Sequence, residues 1–254
     1  MGWRALALLT LTLPAALPAA PGSVLVFTRT EGFHHDSIEA GVAMLRALSL
    51  GHGWTLEVSD DAAVFSPARL ADVRVVVWLN TTGDVLDAAQ QDAFRAWLES
   101  GGGYLGIHAA ADSEYGWPWY GQMLGNSAWF ESHPAPQPAR VRREDSQHPS
   151  TLHLPDSFVL DDEWYNFRAN PRSVATVLLS LDESSYLPGE GAMQDHPISW
   201  SRAQGAGRVW YTGMGHSVAV YDDPRFVAHV AGGVRWLLEG SGPVLYADGF
   251  EAVE

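Results

Sequence analysis

His108 is the residue of this chain whose position most strongly suggests chemistry. It follows the apolar stretch of GGGYLGIHAAAD, where a glycine turn leads into a short strand and three alanines follow the histidine. Many α/β enzymes present a nucleophile at the sharp turn that ends such a strand. Since histidine is an unusual nucleophile, we expect His108 to act as a general base or a metal ligand; a buried histidine bonded to the backbone is the structural alternative.

Four more titratable side chains stand in loops. His35 lies in RTEGFHHD, His133 in ESHPAPQ, Glu163 in DDEWYNF and His216 in TGMGHSVAVYDD. A carboxylate that is turned inward beside histidines is a natural acid, base or ligand. We expect these four and the strand-tip histidine to be the catalytic groups, and the same five could hold one divalent metal ion, Zn²⁺ or Mn²⁺. Acid–base chemistry without a metal is the alternative, because scattered ligands leave no compact motif.

Aromatic residues are candidates for substrate contact. The chain has 11 tryptophans, and aromatic faces are common in sites that hold sugar rings, although most tryptophans fill cores. If DDEWYNF is extended, Tyr165 shares a face with Glu163. The candidate substrate-binding residues are Trp117, Trp119, Tyr120, Tyr165 and Asp112.

Ser217 offers a different chemistry. GHSVA around it is close to the G-x-S-x-G turn of serine hydrolases, with alanine in the last place. A triad also needs an acid and a histidine further along the chain, and only His229 follows, inside a predicted helix. A serine esterase is therefore an alternative that requires a histidine within hydrogen-bond reach of the Ser217 hydroxyl.

Composition excludes several classes of protein. The chain has no cysteine and no lysine, so thiol nucleophiles, thiolate zinc sites, Schiff-base enzymes and the P-loop lysine are excluded. The formal charge of −15 argues against nucleic acid and anionic membranes as partners, because both favour a basic surface. An acidic surface mostly confers solubility.

The first residues resemble a secretion signal. MGWRALALLTLTLPAALPAAPGS carries one arginine, a short apolar run and small residues near position 20. We expect a signal peptide over residues 1–20, one domain over 22–240 and a short tail over 241–254, hence a periplasmic or extracellular protein without a membrane anchor after cleavage. A buried first helix is the alternative for the apolar run.

Strands and helices alternate in the first half of the chain. Apolar runs predict strands at residues 23–28, 54–59, 73–79 and 104–107, and apolar stripes predict helices at about 37–50 and 86–100. Further strands are expected at 174–181 and, as an edge strand, at 138–145; a hairpin over 196–216 and a helix over 224–239 follow.

This alternation predicts an open parallel sheet with helices on both faces. Ligands of such sheets bind beyond the carboxyl ends of the strands. The loops that carry His35, Asn80 and His108 follow the first, third and fourth strands. We therefore expect these loops to meet at one edge and to form the site.

With these residues in view, the chain resembles the ThuA-like family, named for trehalose utilisation, over residues 24–238. The resemblance is carried by GFHHDSI, GGGYLGIHAAAD, WPWYGQMLG, FESHPAPQ, HPSTLHLPDSFVLDDEWYNF, HPISW and GRVWYTGMGHS followed by YDDPRF. One departure is His34, where the family often has arginine, so an anion-binding role of that arginine does not carry over.

The resemblance implies the fold of class I glutamine amidotransferases, an α/β flavodoxin-like three-layer sandwich with a mostly parallel central sheet. The strand-tip position carries a cysteine nucleophile in that superfamily and His108 in this chain. The resemblance thus implies that the turn after the strand is retained while its cysteine is replaced by histidine. Because the thiol nucleophile is absent, we do not expect glutaminase activity.

The resemblance also implies carbohydrate chemistry, since the family is linked with sugar catabolism, often beside oxidoreductases that make 3-keto glycosides. A 3-keto group acidifies the neighbouring C–H, so that a base, His108 or Glu163, could remove the proton and expel the glycosidic oxygen while another histidine or a metal polarises the ketone. We expect an exported enzyme acting on glycosides or 3-keto glycosides by C–O cleavage. A non-catalytic sugar-binding module is the alternative.

Overall fold

The computed structural model describes residues 22–240. The predicted signal peptide, residues 1–20, and the predicted tail, residues 241–254, lie outside the described residues. Within 22–240, no helix is long and apolar enough to cross a membrane.

Residues 22–240 form eleven strands and five α-helices. The strands are β1 (Ser23–Phe27), β2 (Thr55–Ser59), β3 (Val75–Leu79), β4 (Gly103–Ile107), β5 (Phe130–Ser132), β6 (Gln137–Arg143), β7 (Ser157–Asp162), β8 (Asn166–Phe167), β9 (Thr176–Asp182), β10 (His196–Gln204) and β11 (Gly207–Thr212). The helices are α1 (Ile38–His52), α2 (Pro67–Leu70), α3 (Ala88–Glu99), α4 (Pro118–Gly125) and α5 (Pro224–Gly240).

Nine strands form one sheet in the order β2-β1-β3-β4-β11-β10-β9-β6-β7, and β5 pairs with β8 separately. The first five strands of this order are parallel to one another. The other four extend the sheet by antiparallel pairs, including the hairpin of β10 and β11. The predicted parallel strands and the predicted hairpin are therefore confirmed.

Helices cover both faces of the parallel strands. Trp78 on β3 packs against Phe94 of α3, with ring centroids 5.6 Å apart. Its neighbour Leu79 faces Gly41 of α1, where an added Cβ would come within 2.8 Å of the leucine. Successive side chains of a strand point to opposite faces, so these contacts identify the two helix layers. The predicted flavodoxin-like α/β sandwich is confirmed.

Two strands differ from the prediction. Residues 138–145 do not form an edge strand, because β6 lies between β9 and β7. β7 forms that edge, and the sequence analysis missed it because its acidic end resembles a surface loop. The burial of β7 nevertheless alternates, with Phe158, Leu160 and Asp162 inside. This strand matters because Glu163 follows it directly.

Candidate active site

Loops beyond the carboxyl ends of four strands supply the site. His35 follows β1, His108 follows β4, His216 follows β11 and Glu163 follows β7. Parallel topology accounts for the first three. In a flat sheet β7 would lie about 19 Å from β11, since four spacings of about 4.8 Å separate them. The antiparallel strands must therefore curl back to bring Glu163 to the histidines.

The four side chains form one compact group, which we call the histidine–glutamate cluster. One possible ligand atom from each of His35, His108, Glu163 and His216 lies within 4.8 Å of the others. Glu163 Oε2 lies 3.4 Å from His108 Nε2 and 3.3 Å from His216 Nδ1. The structure brings the loops of His35 and His108 together at one edge, as predicted, and it places His216 and Glu163 there as well.

The tautomer of His108 follows from its backbone contacts. His108 Nδ1 lies 2.8 Å from the Gly213 carbonyl oxygen, which only accepts hydrogen bonds, so Nδ1 carries the hydrogen. Nε2 of the neutral ring then bears a lone pair toward Glu163 Oε2. The residue has a φ of 48°, a left-handed conformation that a residue with a Cβ adopts only when its surroundings hold it there.

Three nitrogens of the histidine–glutamate cluster lack hydrogen-bond partners. His35 Nδ1, His108 Nε2 and His216 Nδ1 are buried and unpaired among the described residues. A buried polar atom without a partner is unfavourable by about 1–3 kcal/mol. Three such atoms beside one carboxylate could hold a cation. In a tetrahedral zinc site with bonds of about 2.1 Å, ligand atoms lie roughly 3.4 Å apart, which matches the two separations from Glu163 Oε2.

Charge in the cluster also suits a cation. Burial alone would raise the pKa of Glu163, but the close contacts of its carboxylate with His108 and His216 outweigh burial and hold that pKa well below its usual range. The same contact with Glu163 raises the pKa of His216 against the effect of burial. Burial lowers the pKa of His35 to about 3, and the two other histidines add to this effect. His35 is therefore neutral with an available lone pair, as a metal ligand must be.

His133 lies beside the cluster and outside its ligand set. Its Nδ1 is 3.0 Å from Glu163 Oε1, the oxygen that faces away from the other histidines, and 2.9 Å from the Pro134 carbonyl oxygen. Its side chain is 40% exposed. Because Nδ1 faces two acceptors, it carries the hydrogen, and Nε2 is left with a lone pair. The structure thus places His133 beside the four residues that could hold an ion and not among them.

Two predicted substrate contacts lie at the cluster. The Tyr165 ring packs against His108, with centroids 4.0 Å apart and the ring planes tilted by 35°. It is 3% exposed, so it forms a wall of the site and not an open platform. Asp112 is half-buried and accepts a hydrogen bond of 2.5 Å from the Tyr115 hydroxyl. Burial raises the pKa of Asp112, while this bond and the charge of His108 oppose the rise.

Three other predicted substrate contacts are placed elsewhere. Tyr120 is fully buried and its hydroxyl donates to the Ala110 carbonyl oxygen, so it cannot touch a substrate. Trp119 Nε1 donates to Glu99, which precedes β4 and lies at the opposite end of that strand from the cluster. Trp117 stacks with Trp119, at 4.7 Å between centroids. These rings pack on the helix layer. Packing in the core was the alternative to substrate binding that the sequence left open.

The serine-esterase alternative fails its stated requirement. Within residues 22–240, no histidine is hydrogen-bonded to the Ser217 hydroxyl. His229 lies elsewhere, with Nε2 2.9 Å from Ser199 Oγ and Nδ1 2.8 Å from the Ser150 carbonyl oxygen. Ser217 instead contributes its backbone N–H, which donates to Asp162.

Asp162 is the residue that the sequence analysis missed. It is fully buried at the end of β7, next to Glu163, and stood in the acidic cluster without being singled out. The signal was available, because alternation along SFVLDD places this carboxylate at a position where Phe158 and Leu160 are apolar. Burial raises the pKa of Asp162, whereas the charge of His108 and backbone hydrogen bonds lower it.

Comparison with known proteins identifies the family. The family described as ThuA, trehalose utilisation, matches residues 23–237 of this sequence. The chain belongs to the ThuA family. Its fold and the resemblance of its motifs are thereby confirmed. Among curated proteins, no relative matches the sequence.

Solved structures agree with the ThuA assignment. A protein described as ThuA-like from Bacteroides uniformis is 28% identical, with a TM-score of 0.75 over 91% of this chain and 97% of its own. A second, from Parabacteroides merdae, is 19% identical, with a TM-score of 0.69 over 87% of this chain and 91% of its own. A β-galactosidase from Bacillus circulans shares only the fold, at 12% identity and a TM-score of 0.55 over 88% of this chain and 32% of its own.

Proposed function

We propose that this ThuA protein is an exported, metal-dependent enzyme that cleaves C–O bonds of glycosides or 3-keto glycosides. The observation that carries the proposal is the set of three unpaired, buried imidazole nitrogens around the ionised Glu163. Binding alone rarely needs several titratable groups together, so the cluster favours an enzyme over a sugar-binding module. The burial of Tyr120 removes one of the platforms that such a module would use.

His35, His108, His216 and Glu163 would hold the ion. Imidazole suits zinc, and carboxylate oxygen suits manganese as well. Three imidazoles and one carboxylate oxygen therefore favour Zn²⁺, with Mn²⁺ second. When bound, such an ion acts as a Lewis acid that polarises a carbonyl oxygen.

His133 is suited to move the proton. Its Nδ1–H is held by Glu163 Oε1 and the Pro134 carbonyl oxygen, so Nε2 of this partly exposed side chain offers a lone pair. In a 3-keto glycoside, Nε2 would take the proton from C2, next to the ketone. The C–H electron pair forms the C1=C2 bond, the bond from C1 to the glycosidic oxygen breaks, and His133 returns its proton to the departing oxygen. Atoms and charge balance without another reactant.

This assignment refines the roles expected from the sequence. His108 and Glu163 were the first candidates for the base, but His108 Nδ1 is engaged with Gly213 and its Nε2 points into the cluster. Both residues are therefore better used as ligands. The description of the family as trehalose utilisation supports a carbohydrate substrate, and the signal-like first 20 residues support export.

Turnover of a 3-keto disaccharide tests the proposal. The purified chain is stripped with a chelator, reloaded with Zn²⁺ or Mn²⁺, and incubated with 3-keto-trehalose while the released sugar is followed by chromatography. We expect the reloaded protein, and not the stripped protein, to release sugar from 3-keto-trehalose. Because the ketone acidifies the C2–H, we expect no release from unoxidised trehalose. Equal release by stripped and reloaded protein would overturn the metal-dependent mechanism.

A further inference from the structure

Asp162 lies at the junction of two loops of the histidine–glutamate cluster. It ends β7, and Glu163 is the next residue. Its Oδ2 accepts a hydrogen bond of 2.7 Å from the Gly215 N–H, and its Oδ1 accepts one of 2.9 Å from the Ser217 N–H. The two donors flank His216 on either side. One carboxylate therefore fixes the backbone on both sides of a cluster histidine.

The Gly215 peptide is also held from its carbonyl side. Its oxygen accepts hydrogen bonds from the Tyr221 hydroxyl at 2.8 Å and from Ser37 Oγ and Asn80 Nδ2, each at 3.2 Å. Gly215 has a φ of 118°, a conformation that residues with a Cβ rarely adopt. Hydrogen bonds to the loops after β1 and β3, and to the end of β7, therefore fix the turn before His216 in one conformation.

We infer that Asp162 is a positioning residue that sets His216 Nδ1 against Glu163 Oε2. The inference rests on the proposed function, because it concerns the metal ligands named there. Asp162 and Glu163 are adjacent, so the carboxylate that holds the backbone around His216 and the carboxylate that contacts the His216 ring share one stretch of backbone.

Asp162 acts from behind the cluster, because the backbone that it holds carries His216. Hydrogen-bonding groups behind the ligands of a metal typically change its affinity by about 10–100-fold when they are removed. We expect an effect of that size from Asp162.

Metal affinity of Asp162→Asn, measured by competition with a chromogenic chelator, tests the inference. The amide keeps the size of the side chain, but its NH₂ group would face one of the two backbone N–H donors. Since a donor cannot accept, one of the two hydrogen bonds is lost. We expect binding weaker by about 10–100-fold, together with an altered Co²⁺ absorption spectrum. Asp161→Asn, its exposed neighbour on the same strand, is the matched control and should bind like the original chain.

A second pair of variants serves if Asp162→Asn does not fold. Ser217→Pro removes the N–H that donates to Oδ1 as well as the hydroxyl, and it restricts the backbone of His216; the φ of −81° at Ser217 is compatible with proline. We expect weaker binding for Ser217→Pro and unchanged binding for Ser217→Ala, which keeps the N–H. Unchanged affinity in a folded Asp162→Asn or Ser217→Pro would overturn the inference alone. Failure of the original chain to bind metal would overturn both the inference and the proposed function.

Discussion

Glu163 Oε2 and His108 Nε2 lie 3.4 Å apart with no hydrogen bond between them. The His108 hydrogen is already engaged, because Nδ1 donates to the Gly213 carbonyl oxygen. Two lone pairs that face each other at this distance in a buried site repel unless a proton or a cation stands between them. The relationship of these two atoms is the physical basis for the metal-centred account.

His108→Ala should abolish turnover of a 3-keto disaccharide. The substitution removes one of three imidazole ligands and also the ring against which Tyr165 packs. We expect at least a 100-fold loss of bound-metal affinity. Circular dichroism checks that the variant is folded. Unchanged turnover would remove His108 from the mechanism.

His133→Gln should separate metal binding from catalysis. The variant leaves the four ligands in place and removes the lone pair of Nε2, so metal content should stay the same while kcat falls by about 100-fold or more. Metal analysis and steady-state kinetics on the same preparation make the comparison. A variant that loses its metal, or one that keeps its kcat, would contradict the assignment of His133 as the base.

Phe33→Ala should weaken substrate binding. The Phe33 ring is 66% exposed and packs edge-on against His35, at 4.9 Å between centroids, so it offers an apolar face at the rim of the site. Loss of one aromatic contact of about 0.5–1.5 kcal/mol corresponds to a KM roughly 2–10-fold higher. Leu50→Ala, another exposed apolar residue at 87%, is the control and should leave KM unchanged. An unchanged KM for Phe33→Ala would exclude it as a contact.

Acid should destabilise the fold through His229. Burial lowers the pKa of His229 to about 3, against about 6.5 in the unfolded chain. Between these values the unfolded state binds the extra proton, so the stabilisation is complete above pH 6.5 and declines as the pH falls toward 3. At pH 5 the loss is about 2 kcal/mol, since 1.5 pH units lie below 6.5.

Urea unfolding of the metal-free chain at pH 7 and pH 5 measures this loss. His229→Gln cannot take up the proton, so the stability difference between the original chain and the variant should shrink by about 2 kcal/mol on going to pH 5. A difference that is independent of pH would contradict the role of His229.

All four cluster residues were candidates from the sequence, but only the placement of two could be predicted. His35 and His108 follow parallel strands, whose carboxyl ends share one edge, whereas His216 was expected only at the end of a hairpin strand. Glu163 was a candidate because aromatic residues surround it in the sequence, and nothing local reveals that β7 curls back past three intervening strands to reach His216. Long-range curvature of a sheet is a property of the packed molecule.

The sequence also could not decide whether its aromatic residues bind a substrate or fill the core. The WPWY motif suggests a stacking platform as readily as a core, and only packing decides between them. The hydroxyl of Tyr120 bonds to Tyr104 and to a backbone carbonyl inside the helix layer, so these rings stabilise the fold. Asp162 was overlooked because a run of acidic residues ordinarily lies at the surface. Its hydrogen-bond partners, the backbone N–H groups of Gly215 and Ser217, are also distant in the sequence.

Elemental analysis of the purified chain by inductively coupled plasma mass spectrometry, before and after chelation and reloading, shows whether the histidine–glutamate cluster holds a metal ion. We predict about one tightly held Zn²⁺ or Mn²⁺ per chain and its loss in Glu163→Gln, in which the ionised ligand is gone. Absence of metal from the original chain under every loading condition would contradict the account and leave the histidine–glutamate cluster as a plain acid–base group.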